Sequence, residues 1–302
     1  MVDANAYLIS DAVSESATPI IYGEEDVLRE KLFTAQKLPQ RMDDISGMAK
    51  GAGNKIQLPE ELSTWAVSTL TEGTATPISA LQFGADNLLF VWYGDAKQWT
   101  LEAQSVVYPY VLSRMRGNAL KAFGENRDDI IIGELLNTTS TAKYPVNGGT
   151  EATSATIDSD DTFQYKQVAR ARRQMEINNL DLAFVIVHPT QALSIDTDDN
   201  ITDNTKYNVG MIEHGVMKDI YGTEIISHSS IQSVTENSVT VYQALACMEK
   251  PAFYASKVAP SMDMFKENPR ERAWTFHYFE AFGVKLKRDN GIIPLKSVGA
   301  IL

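Results

Sequence analysis

The sequence predicts an α+β fold, and three stretches carry that expectation. Near the C-terminal end, Trp274, Phe276, Tyr278, Phe282, Val284 and Leu286 all fall on even positions, the period of a half-buried strand. Between 160 and 250, helical and extended patterns alternate, as in an α+β or α/β module. Between 55 and 123, a long extended excursion leads into a helical pattern entered through Pro109.

Composition sets the outer bounds. The chain has 302 residues, 44% hydrophobic and 22% charged, enough apolar surface for a sizeable core and two or three domains. Its formal net charge is −12, which disfavours tight phosphate binding because that needs concentrated Lys and Arg. The one cysteine, Cys247, sits in an apolar run and reads as a small buried hydrophobe; no intrachain disulfide is expected. The N-terminus lacks the basic and apolar regions of a signal peptide, and no apolar run approaches the roughly 20 residues of a transmembrane helix. A protein made in a reducing cytoplasm and kept off membranes is expected.

In chain order, residues 1–22 are poor in large apolar groups and read as an arm that orders only against a neighbour. Val27, Leu28, Leu32 and Phe33 give 24–36 the spacing of a short amphipathic helix, ended by Pro39. The span 42–53 is rich in turns. Its Gly51 and Gly53 lack the third glycine and the strand-then-helix setting of a nucleotide loop.

Residues 55–58 and 65–70 read as extended, Glu72-Gly73 as a turn, and Pro77 as a residue that keeps the chain out of helix. From Ala80, Leu81 and Phe83 alternate with Gln82 and Gly84. The run 88–93 is continuously apolar and aromatic, so both of its faces are expected to be covered. Residues 101–107 suit a short helix. Pro109 then fits the first position of a new one, carried by Val111, Leu112, Met115, Ala119, Ala122 and Phe123, with Arg114, Arg116 and Lys121 on other sides. Gly124 is expected to end or interrupt it, and 128–136 to form a second helix.

The polar span 137–161 reads as a loop or exposed hairpin. Helix 162–178 buries Phe163, Val168, Ala171 and Met175, and its Arg170, Arg172 and Arg173 form a basic run that reads as a solvated face more readily than a nucleic-acid patch. The apolar run 182–187 reads as a buried strand, closed by His188-Pro189, with a short helix over 190–195. The acidic and amide loop 196–204 fails as a calcium loop, with Ile201 where glycine is required and Tyr207 where glutamate is. A helix over 209–218, a turn into a strand over 221–227, and a strand over 239–248 follow. The return begins at 252–258. The period-two path of 274–286 is expected to break at Glu280 and bend at Gly283, and Asn290-Gly291 to turn the chain into a last strand.

No chemistry is selected anywhere. His188, His214, His228 and His277 lack ligand spacing. There is no nucleophile elbow, no phosphate loop and no paired-cysteine motif. No catalytic residue, cofactor site or metal site is predicted.

Read together, these segments resemble the major capsid protein of tailed bacteriophages and related archaeal viruses, a fold shared with encapsulin shells. Glu72-Gly73-Thr74-Ala75-Thr76-Pro77-Ile78-Ser79 resembles the family's extended-loop pattern, with Phe83 where an alternating strand begins. Trp99-Thr100-Leu101-Glu102-Ala103 followed by Pro109 is similar to the entry of the spine helix. The apolar strand ending at His188-Pro189 and the strand from Gly222 through Ile225-Ile226 resemble parts of the axial domain. Phe282 to Arg288 resembles the last peripheral strand. The likeness runs in order over about 55–300.

The resemblance implies an α+β tailed-phage capsid fold: an N-terminal arm with a short helix (1–54), an extended β-hairpin loop (55–97), a spine helix with the first peripheral elements (98–159), an α/β axial domain (160–250) and peripheral return strands (251–302). It implies a structural, non-enzymatic subunit that self-assembles into pentamers and hexamers around double-stranded DNA, located in the virion and assembled in the host cytoplasm. The alternative it leaves open is an encapsulin-like compartment around a cargo enzyme. Expected inter-subunit residues of the loop are Glu72, Gly73, Thr76, Pro77, Ser79 and Phe83, and the spine helix is marked by Pro109, Arg114 and Arg116. Implied partners are further copies of the chain and scaffolding, portal and decoration proteins, with DNA contacted weakly and no membrane. Crosslinking members carry lysine just before the loop proline; Thr76 stands there, so no covalent crosslink is expected.

Overall fold

The computed structural model describes residues 38–51, 53–61, 83–100, 111–147, 149–196, 212–213, 216–217, 219–220, 223–265 and 273–299. The arm and helix expected over 1–37, the strand over 65–70, the helix over 101–107 and the loop over 196–204 lie outside them. Two sheets and one long helix organise the rest.

The chain enters through β1 (Asp43–Asp44) and a single helical turn, α1 (Ser46–Ala49). A two-stranded ribbon follows, β2 (Lys55–Glu61) with β3 (Phe83–Leu89), antiparallel from Lys55↔Leu89 to Glu61↔Phe83. β4 (Val91–Thr100) then leaves the ribbon for a four-stranded sheet. Its order is β1, β14 (Ala252–Phe265), β15 (Ala273–Leu286), β4. The excursion expected over 55–97 is therefore divided. Residues 55–61 pair with 83–89, whereas 91–100 pair with β15, from Val91↔Phe282 to Thr100↔Ala273.

The helix expected to stop at Gly124 does not stop. α2 runs from Val111 to Leu136, 26 residues, or about 39 Å. A mid-helix glycine costs about 1 kcal/mol, and burial of Phe123, Ile131, Ile132 and Leu135 outweighs it. The expected 128–136 helix is its second half. A small hairpin follows, β5 (Val146–Asn147) with β6 (Thr150–Glu151), inside the span read as loop or hairpin.

α3 (Tyr165–Ile177) begins at a capping box in which Gln164 and Gln167 satisfy each other's free backbone N–H groups. It buries Val168, Ala171 and Met175, with Phe163 just ahead of it. β7 (Leu182–Val187) and α4 (Pro189–Asp196) come next. The described residues of the helix expected over 209–218 are not helical. Ile212–Glu213 (β8) and Val216–Met217 (β9) are short paired strands. The sequence around them weakens helix, with glycine at 210 and 215.

The second sheet has the order β10 (Asp219–Ile220), β11 (Thr223–Ser227), β7, β13 (Val239–Met248), β12 (Ser233–Glu236), with β16 (Ile292–Val298) on the other edge of β13. β7 and β11 run parallel. The sheet is covered on both faces, which is why 182–187 reads as one apolar run. Phe184, Ile186, Leu245 and Cys247 face α2 and the first sheet. Val185, Val187, Ala244 and Ala246 face α3 and α4. β16 belongs to this sheet, so the strands of 251–302 do not all return to one place: β14 and β15 join the first sheet and β16 the second.

Two further expectations fail on β4 and β15. The run 88–93 is not covered on both faces: Leu88 and Phe90 are buried, but Leu89 and Trp92 are each 57% exposed. Nor does β15 break at Glu280, since its ladder with β4 is continuous through that position and the irregularities sit on the β14 side. Gly283 serves a close approach. A Cβ there would collide with the Leu89 carbonyl oxygen and the Leu88 side chain, where the chain passes from β3 to β4 across β15. Gly283→Val is expected to destabilise the subunit by about 1–3 kcal/mol, read as a lowered urea midpoint.

Candidate functional site

The long helix α2 carries two adjacent charged side chains that face different partners. Arg127 and Asp128 are both buried, at 8% and 4% exposure, and so is Glu280 at 0%. Arg127 Nε donates to Glu280 Oε2 at 2.8 Å, and a terminal guanidinium nitrogen closes on the same oxygen. The guanidinium lies 5.8 Å from the Phe282 ring centroid. Tyr93 and Tyr254 flank that ring at 4.9 and 5.9 Å. Among the described residues, Glu280 Oε1 finds no hydrogen-bond partner. Burial pushes the Glu280 carboxyl above its ordinary value, opposed by the Arg127 bond and charge.

Asp128 turns the other way. Its Oδ2 accepts from His228, 3.2 Å from Nε2, and its Oδ1 takes the backbone N–H of Leu38 at 3.4 Å. Ser230 N–H donates to His228 Nδ1 at 3.2 Å, which places the ring proton on Nε2. One helical step thus ties α2 to β15 of the first sheet, to the loop after β11 of the second, and to the N-terminal segment.

That segment is clasped by further charges. Arg41 donates to Glu224 on β11 at 2.7 Å. Asp43 accepts from Lys287 at 2.8 Å and faces Lys250 at 3.7 Å. The Lys287 hydrogen bond holds the Asp43 carboxyl below its ordinary 3.8, against the opposing effect of burial.

The residues singled out by sequence fall as follows. Glu72, Gly73, Thr76, Pro77, Ser79 and Pro109 lie outside the described residues. Phe83 opens β3, its backbone paired with Glu61. Arg114 and Arg116 lie in the N-terminal part of α2. The basic run on α3 is engaged by acids: Arg170 by Glu151, Arg172 and Arg173 by Glu176 at 3.1 and 2.6 Å. Sequence reasoning missed Arg127, Asp128, His228 and Glu280. One signal was present, because Glu280 occupies an even, inward position of a period-two strand.

Chemical groups are otherwise dispersed. His188 accepts from Thr190 N–H at 3.2 Å and stacks on Tyr242 at 4.1 Å; burial lowers its pKa. Burial pushes the Cys247 thiol far up, out of reach of thiolate chemistry. Among the described residues, no group of three or more His, Cys, Asp or Glu side chains is placed to hold a metal, and no helix is long and apolar enough to cross a membrane. The surface feature that stands out is apolar: Leu89, Val91 and Trp92 are exposed within four positions. On the face of β4 opposite Trp92, Tyr93 and Tyr278 line a groove with Ala119, Ala122 and Phe123 of α2.

No protein-family model matches the chain, and no curated protein does. Solved structures do. The capsid of cyanophage P-SCSP1u superposes with a TM-score of 0.67 at 14% identity, covering 89% of this chain and 90% of that one. The capsid of Ralstonia phage GP4 gives 0.66 at 13% identity, over 83% and 85%. The mature capsid of bacteriophage PhiM1 gives 0.65 at 9%, over 88% of each. The chain has the phage capsid fold. In this capsid fold α2 is the long helix against the four-stranded sheet, and Arg127–Glu280 is the polar joint between them.

Removing one member of a buried pair strands the other's charge, at about 3–5 kcal/mol, whereas replacing both with apolar residues is often neutral. Arg127→Met and Glu280→Leu are each expected to lower unfolding free energy by that amount, and the double variant to regain most of it in urea titrations. A pH series tests the clasp. Because the Asp43 pKa is lowered on folding, its contribution is present above its ordinary value and lost as pH falls through the folded one. Asp43→Asn should be less stable than wild type near neutrality, with the gap closing in acid.

Proposed function

We infer that the chain is the structural subunit of an icosahedral viral capsid, one that self-assembles into pentamers and hexamers enclosing double-stranded DNA. What supports the reading is the capsid fold extending over more than four fifths of the chain. On this reading the protein is not an enzyme, and its work is mechanical. Each contact between copies is modest, and the closed lattice multiplies them.

The proposed division keeps 1–54 as the arm, 55–97 as the loop, 98–159 and 251–302 as the peripheral part and 160–250 as the axial part. β16 is lent to the axial sheet and β4 to the peripheral one. The loop, with Glu72, Gly73, Thr76, Pro77, Ser79 and Phe83, lies over a neighbouring subunit and holds it without a covalent bond, since Thr76 offers no amine. A net charge of −12 keeps packaged DNA mobile. Its main partners are further copies of itself, with a separate scaffolding protein or none, and the virion, assembled in the host cytoplasm, is the location.

Electron microscopy of the purified protein is expected to show closed shells, and a monodisperse monomer under every assembly condition would refute the reading. A loop variant sharpens the test. Glu61 and Phe83 are paired in register, so 62–82 is replaceable by an Asn-Gly turn that preserves the ribbon base. The variant is expected to stay folded by circular dichroism and to fail to form stable shells. Wild-type shells from it would refute the role of the loop.

A further inference from the structure

Three consecutive hydroxyls just after α2 converge on the turn that leads into β16. Thr138 and Ser140 donate to the Asp289 carbonyl at 2.9 and 2.7 Å, and Thr139 donates to the Asp289 carboxylate at 2.7 Å. The turn they hold is a short 3-10 segment, Asp289–Gly291, closed by the Gly291 N–H on the Arg288 carbonyl at 3.2 Å. Its last two residues are the pair Asn290-Gly291.

Packing calls for the glycine. A Cβ at 291 would collide with the thioether of Met248, itself buried. The asparagine is not held in the same way. Asn290 is exposed and lines a polar cleft with Lys285, Lys287, Arg288 and Asp289, and none of the described residues hydrogen-bonds its side chain. A free carboxamide followed by a residue without Cβ leaves the backbone nitrogen least hindered in reaching the side-chain carbon.

We propose that Asn290-Gly291 is a self-modification site, where Asn290 deamidates spontaneously at a rate set by the hydroxyl clasp. The proposal goes beyond the shell reading and does not depend on it. The Gly291 nitrogen gives its proton to hydroxide and attacks Asn290 Cγ. The new C–N bond closes a five-membered succinimide, the Cγ–Nδ2 bond breaks, and the amide takes a proton from water and leaves as ammonia. Water then opens the ring. Addition at Cγ yields aspartate. Addition at the main-chain carbonyl yields isoaspartate, whose backbone runs through Cβ and Cγ and is one carbon longer.

The cleft favours the charged species on this path, because cations beside the reacting carbon stabilise the oxyanion formed on attack. Lys285 and Lys287 are engaged by Asp86 and Asp43 at 3.3 and 2.8 Å. No described acid pairs with Arg288, which leaves it for the new carboxylate. The clasp works the other way. Attack requires the Gly291 N–H to leave the Arg288 carbonyl, and the three hydroxyls keep the turn closed. The product matters because β16 starts at the next residue, in register with β13 from Ile292↔Cys247 to Val298↔Val241. Ile292, Ile293 and Leu295 are buried there, so an extra backbone carbon at 290 pulls against a fixed strand.

The test ages the purified protein at mildly alkaline pH. The tryptic peptide 289–296 is followed by mass spectrometry, with aspartate and isoaspartate separated by chromatography. Folded wild type is expected to accumulate both at 290, faster as pH rises. Asn290→Gln, whose longer side chain closes a six-membered ring far more slowly, should leave the peptide unchanged. Thr138→Val with Ser140→Ala removes both donors to the Asp289 carbonyl. This variant should keep the wild-type circular dichroism and convert about fivefold faster or more, since each lost hydrogen bond raises the open population. Ser140→Ala alone is expected to convert faster than wild type as well. The same digest resolves Asn147-Gly148, the other Asn-Gly pair of the chain.

No conversion at 290 in the folded protein, while the urea-unfolded chain converts there, overturns the proposal. Equal rates in wild type and in a folded clasp variant overturn the clasp as the element that sets the rate.

Discussion

The buried pair Arg127–Glu280, with Asp128 one step along the same helix, is the constraint on which the rest of the structure depends. A charge pair excluded from water tolerates little displacement, because any opening leaves an uncompensated charge in a low-dielectric site. Glu280 has no exposure and Arg127 almost none, so α2 is fixed against β15 in both rotation and translation. Asp128 then sets where the second sheet and the N-terminal segment meet that helix, through His228 and the Leu38 amide. A single core continues across this junction, joining Ile131, Ile132 and Leu135 of α2 to Phe184, Leu245, Tyr254 and Phe282 from both sheets.

A long helix braced on one sheet and pinned to another gives a stiff plate. Outside the brace lie the ribbon base and the segment before β1. The segment is held by Arg41–Glu224 and by Asp43 with Lys287 and Lys250, pairs partly open to solvent and individually weak. Among the described residues the stiff part is therefore largely apolar around the buried Arg127–Glu280 pair, and its edges are fastened by charges that solvent reaches.

Chemistry is sparse for a physical reason as well as a compositional one. Histidines 188 and 228 are each consumed in local structure, one stacked on Tyr242 and the other closing the Asp128 junction. The arginines of α3 are spent on Glu151 and Glu176. Side chains that would signal a reaction in another setting serve here to register one element against another.

Local patterns in the sequence determined the α+β class, the apolar strands 182–187 and 239–248, the period-two strand ending at Leu286 and the inward face of α3, because each is set by spacing within one segment. The ordered series of motifs over 55–300 also carried the likeness to the capsid fold, which the structure shares. Tertiary structure decided what depends on residues far apart. Gly124 passes as helix only because Phe123 and the residues beyond it find a core. The strands 212–213 and 216–217 pair where a helix was expected. β16 crosses to the second sheet because its apolar residues find both faces covered there. Glu280 read alone was a break in a strand; opposite Arg127, 153 residues away in sequence, it is the joint. The exposure of Trp92 was equally beyond local reading, since what covers a strand depends on where segments far away in sequence come to rest.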